Sequence, residues 1–209
     1  MLKTSKWLFI IIGTVFSTTI SFAQLSSKQL EEDIVFQKGL NALKYGDTLT
    51  AYQYFQNCYT VASENQDVNY YYHMLSMALN KPAAASTTVK WLKESENRAY
   101  NSRLNYFLGR YYFKKIEGEA AIEAFAKVSI DDLSNEEIGL MKFEQAYLYF
   151  KKGDWDKAVN LLNSIRQVKS QFYYYDANYY AGFIACLKAA LPANYPAKIL
   201  LLHLFYRQA

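Results

Sequence analysis

Leu108-Gly109-Arg110-Tyr111-Tyr112, a charged turn through Lys114-Lys115-Ile116-Glu117, then Ala121-Ile122-Glu123-Ala124-Phe125: here a small residue, Gly109, is followed twelve positions later by Ala121 and four later by Phe125. The same spacing joins Gly39, Ala51 and Phe55 and, with weaker residues, Ala146, Ala158 and Leu162. A fainter copy has Ala85 and Val89 in the places of Ala51 and Phe55. The anchoring alanines then fall at 51, 85, 121 and 158, with steps of 34, 36 and 37 residues, the period of a helix-turn-helix array. Gly46-Asp47 and Gly153-Asp154 each stand five residues before their anchor. Gly at that place can take a left-handed helix stop, and Asp can cap the helix that follows. Small residues on both helices allow close approach, so Gly39, Gly109, Ala146 and, in a fifth unit, Gly182 read as packing positions of the first helix of each pair. Ala51, Ala121 and Ala158, with Phe55, Phe125 and Leu162, are their counterparts on the second.

Leu108-Gly109 with Tyr112, Ala121 and Phe125, and Tyr149 with Gly153-Asp154, Ala158 and Leu162, resemble the signature of the tetratricopeptide repeat family over about residues 28 to 188. That signature couples a Gly and an aromatic on one helix to an Ala and an aromatic on the next. The resemblance implies an all-α fold, an antiparallel helix-pair solenoid of about five repeats. His73 stands where the second unit should have a small residue, and the terminal repeat Pro common in the family is absent after Phe55, Phe125 and Leu162. The segment Asp131-Asp132-Leu133-Ser134-Asn135-Glu136-Glu137 also looks like the long multi-repeat proteins exported by Bacteroidota, which implies an assembly or envelope role.

In the family the first helices line a concave groove, so residues near each small position are candidate partner contacts. Three residues before it lie Phe36, Tyr70, Tyr106, Phe143 and Tyr179, an aromatic in every unit. One residue after it lie Leu40, Met74, Arg110, Tyr147 and Phe183. An aromatic stripe at helical spacing also suits simple packing between helices, and both readings stand. The 20 Tyr of the chain, with runs at 70–72 and 173–175, weigh toward recognition, because Tyr offers a large contact area with a polar tip. The candidate groove set is therefore Phe36, Tyr70, Tyr106, Arg110, Phe143, Tyr147, Tyr179 and Phe183, and an apolar or aromatic peptide or partner protein fits it better than an acidic tail.

Lys3 and Lys6 precede a mainly apolar stretch from Trp7 to Phe16, and Ser21-Phe22-Ala23 forms a small-x-small pattern, so residues 1–23 read as a secretory signal peptide. Export to the periplasm follows, with no membrane span after cleavage. Removing Lys3 and Lys6 from the formal charge of +4 leaves +2, too weak and dispersed for nucleic acid. Cys58 and Cys186 both read as small core residues, separated by several helices and so not bridged.

Catalytic chemistry finds little footing. His73 and His203 are the only histidines, no phosphate-binding loop follows a strand, and neither Cys has an evident His and acid partner. No cofactor or metal is expected, and the chain reads as a non-catalytic interaction scaffold. A structural subunit of an envelope assembly machine is the alternative.

Ten helices are expected, at about 27–45, 48–63, 66–79, 82–96, 100–115, 117–129, 134–152, 155–167, 170–188 and 195–207, without strands. The repeat domain would span 24–188. Residues 189–209 look atypical: from 177 onward there is no Asp or Glu, and Ile199 to Tyr206 is apolar nearly all round. A truncated or frameshifted end, or an apolar docking end, would account for that composition.

Overall fold

The computed structural model describes residues 33–169 and 172–190. The expected signal segment lies outside the described residues, as do 191–209 and with them the tenth expected helix. The described residues form nine α-helices and no strand. The first, α1, runs over 33–44; α2 to α9 are Thr48–Val61, Gln66–Ala78, Ala84–Glu94, Arg98–Lys114, Gly118–Phe125, Asn135–Lys152, Trp155–Arg166 and Tyr174–Ala190. A single 3-10 turn, Ile130–Asp132, precedes α7. The chain divides after Leu79 into two compact units, the first ending with α3 and the second beginning before α4.

Three helix-to-helix turns share one construction. The N–H of Gly46 donates to Leu43 O at 2.9 Å and that of Asp47 to Ala42 O at 2.9 Å. Ile116 and Glu117 repeat the pattern onto Phe113 and Tyr112, and Gly153 and Asp154 onto Phe150 and Tyr149. This is the Schellman arrangement, which needs a left-handed residue at its centre and satisfies the last carbonyls of the outgoing helix. Asp47 and Asp154 then accept from Thr50 N and Lys157 N and start the incoming helix. α7 begins with a reciprocal capping box, Ser134 accepting from Glu137 N while the Glu137 carboxylate accepts from Ser134 N.

In the first unit Ala51, Tyr52, Phe55 and Leu75 form the core, with Phe36, Leu40 and Tyr71 packed around them. Gly39 faces the Phe55 ring so closely that a Cβ would stand 2.8 Å from it. In the second unit α5 packs on α6, α7 on α8 and α8 on α9. Gly109 meets the Phe125 ring in the same way, with 2.5 Å left for a Cβ, and Ala121 and Ala158 are fully buried. Ala146, Leu162 and Ile165 join Ala177, Ala181 and Ile184 in one cluster.

Three packing expectations are corrected. In α4 the buried pair is Ala84 and Thr88, one residue before Ala85 and Val89. The Thr88 hydroxyl donates to the Ala84 carbonyl at 2.8 Å, and that bond allows a polar residue to occupy the apolar position. In α9 Ala181 is buried, whereas Gly182 is exposed and has no neighbouring atom within 4 Å of where a Cβ would stand. Cys186 is exposed, Cys58 alone being in a core, and no disulfide joins the two.

Candidate functional site

The aromatic positions separate by burial. Tyr70 and Tyr106 are interior residues, with 6% and 1% of their surface exposed. Neither ring is available to a partner, which corrects their place in the groove set. The reason is geometric: a residue three before an inward-facing small residue lies close to the same helix face. Phe36 is half-buried edge-on to Phe55, with ring centroids 5.4 Å apart, and also packs on Tyr71. Phe143 and Tyr147 are half-buried, as are Arg110 and Phe183, while Tyr179 is 68% exposed.

Within the second unit these side chains assemble into a ladder across α5, α7 and α9. Phe113 meets Tyr147 at 5.9 Å between centroids, and Tyr147 meets Tyr180 at 6.3 Å. Tyr180 touches Phe143 at 5.8 Å, and Phe143 stacks on Tyr173 at 4.9 Å. Beside Tyr180, Tyr179 lies parallel to Phe183 at 6.4 Å. Each contact lies in the usual range for offset or edge-on aromatic pairs. Phe113, Tyr173 and Tyr180 were missed in the sequence, because none of them stands three before or one after a packing position, whether Gly182 or Ala181 is taken in α9.

Beside the ladder runs a pair of charge contacts with a common offset. Arg103 Nη2 lies 3.1 Å from Glu137 Oε1, and Arg110 Nε lies 3.4 Å from Glu144 Oε1. Both pairs span 34 residues, and both bridge α5 and α7 seven positions apart. Equal offsets at both rungs require the two helices to run parallel in register. Arg103 also donates to the carbonyl of Asp132, tying the 3-10 turn to α5.

Glu144 is the unusual member. Its side chain is only 7% exposed, and its Oε2 is buried without a hydrogen-bond partner. Desolvation pushes its carboxyl up to about 6, against the opposing pull of Arg110 and Lys114. Glu137, by contrast, is held below its ordinary value: burial opposes ionisation, but bonds from Arg103 and from the Ser134 backbone prevail. Desolvation also raises the Tyr106 hydroxyl to about 12 despite the adjacent Arg110 guanidinium.

Among the described residues no group of three or more His, Cys, Asp or Glu is placed to hold a metal ion. No helix among them is long and apolar enough to cross a membrane. Comparison with family models, curated proteins and solved structures yields no match. The class that stands is an all-α protein with paired helices and an aromatic face on its second unit.

Proposed function

We propose that this chain is a non-catalytic interaction scaffold of the tetratricopeptide kind, exported to the periplasm, which holds a peptide or partner protein against the aromatic face of its second unit. The observation that carries the reading is the ladder from Phe113 through Tyr147, Tyr180 and Phe143 to Tyr173, built of half-buried rings on α5, α7, α9 and the turn just before α9. Rings fixed by their neighbours present apolar area and polar tips at small entropic cost, the property that makes Tyr common in recognition surfaces. The recurring Schellman turns, the buried anchors Ala51, Ala121 and Ala158, and the equal 34-residue offsets between α5 and α7 support the repeat assignment.

The proposal is tested with a photoreactive phenylalanine analogue placed in turn at Tyr147, Tyr179 and, as control, the exposed Gln167, in cells exporting the full chain. Adducts at the first two positions and none at the third are expected. The adduct at Tyr179 should disappear in the Tyr147→Ala/Phe143→Ala double variant while its far-UV circular dichroism stays helical. Equal adducts at all three positions, or adducts indifferent to the double variant, would move the partner surface elsewhere.

A further inference from the structure

One helix face is covered in α5 and in α7 but bare in α9. The residues seven before and four after each small position share its side of the helix. In α5 the three are Ser102, Gly109 and Phe113, in α7 Gly139, Ala146 and Phe150, and all are buried or half-buried. Phe125 of α6 lies over Gly109, while Ala158 and Leu162 of α8 join the cluster of Ala146 and Phe150. The same places in α9 hold Tyr175, Gly182 and Cys186, and all three are exposed, Tyr175 by 81%. Ala189 extends the strip and is exposed as well. None of the four is charged, and a Cβ added at Gly182 would have no neighbour within 4 Å.

An exposed apolar strip marks a contact, and the helix pairs indicate its occupant. Gly39, Gly109 and Ala146 are each covered by the stretch of chain that follows them across a turn. After α9 the chain continues through Leu191-Pro192-Ala193-Asn194-Tyr195-Pro196 to Ile199-Leu200-Leu201-Leu202-His203-Leu204-Phe205-Tyr206, a mainly apolar stretch without an acid. A tether of so few residues holds it near α9 at an effective concentration of roughly millimolar, which a second copy in dilute solution does not match. We propose that residues 197–206 of this chain dock along Tyr175, Gly182, Cys186 and Ala189, taking the place on α9 that α6 takes on α5 and α8 on α7. Tyr179 stands at the rim of the strip, and Tyr180 and Phe183 lie beyond it. The ladder therefore stays open to a partner, and either claim can fail alone.

Cys186 serves as the native reporter and the buried Cys58 as its internal control. The full chain is treated with a maleimide, alone and in denaturant at the same pH, and the labelled peptides are quantified by mass spectrometry. Docking predicts that Cys186 reacts at least about tenfold more slowly in the folded chain, because reaction then waits on local opening. That protection should persist through a roughly hundredfold dilution, since the contact lies within one chain. Leu201→Glu/Leu204→Glu should abolish the protection at Cys186 and leave Cys58 slow. Gly182→Leu gives a second reading: on a covered strip it overpacks and lowers the melting temperature, whereas on a bare one replacing a helical Gly raises it. A Cys186 as reactive as in denaturant, protection lost on dilution, or a Gly182→Leu variant that melts higher would each overturn the proposal.

Discussion

Glu144 and His73 are buried groups whose ionisation the fold opposes, and they shape the pH response in opposite senses. Burial raises the Glu144 carboxyl to about 6 from 4.5. Below pH 4.5 it is protonated in both states and carries no penalty; as pH rises toward 6 the unfolded chain ionises first and stability falls, by about 2 kcal/mol at the limit. Glu144→Gln should flatten that part of a melting-temperature profile. Burial lowers His73 to about 4 from 6.5, so as pH falls through that interval the unfolded chain gains the proton first and the fold weakens. The loss approaches roughly 3 kcal/mol at pH 4, and His73→Gln should remove the slope. Ala121 is fully buried, which leaves no room for a larger side chain. Ala121→Leu should lower stability by about 1–3 kcal/mol, read by thermal melting, and an unchanged melt would place the anchor elsewhere.

Elements were more legible than their phase. The twelve-residue spacing and the Gly-Asp turns locate the described helices, because a helix stop and a cap are local chemistry that one sequence states directly. Rotation about the helix axis is harder to read. Ala83-Ala84-Ala85 offers three adjacent candidates for one anchor, and Ala181-Gly182 offers two; only the neighbours' choice of Thr88 and Ile184 as buried partners decides between them. One step along a helix turns a residue by about 100°, so Tyr179 is 68% exposed while its neighbour Tyr180 packs on Tyr147 and Phe143. The charge rungs were hidden for another reason, since Arg110 and Glu144 become neighbours only through the packing of α5 against α7. Arg110→Met should leave Glu144 buried without its counter-charge and cost about 3–5 kcal/mol above pH 6. Below pH 4.5 the loss should shrink, and denaturant unfolding at the two pH values gives the comparison. Ser134→Ala removes one half of the capping box of α7 and should cost about 1 kcal/mol at either pH.

At the scale of the whole molecule, small inward residues and tight turns pair the helices, and the helices of the second unit hold their aromatic rings in a row. The all-helical class was legible from composition and spacing, but the binding surface was legible only in part: Phe143 and Tyr147 belong to the ladder, while Tyr70 and Tyr106 are consumed by packing. Composition counts aromatics without saying which are left over once the core is filled. The most direct test of the scaffold account is amide hydrogen exchange of the full chain, alone and in complex with the partner isolated through the Tyr147 adduct. Slower exchange on binding is predicted for segments 140–152 and 172–184, with α8 unchanged. Protection confined to α8, or absent from both ladder segments, would contradict it.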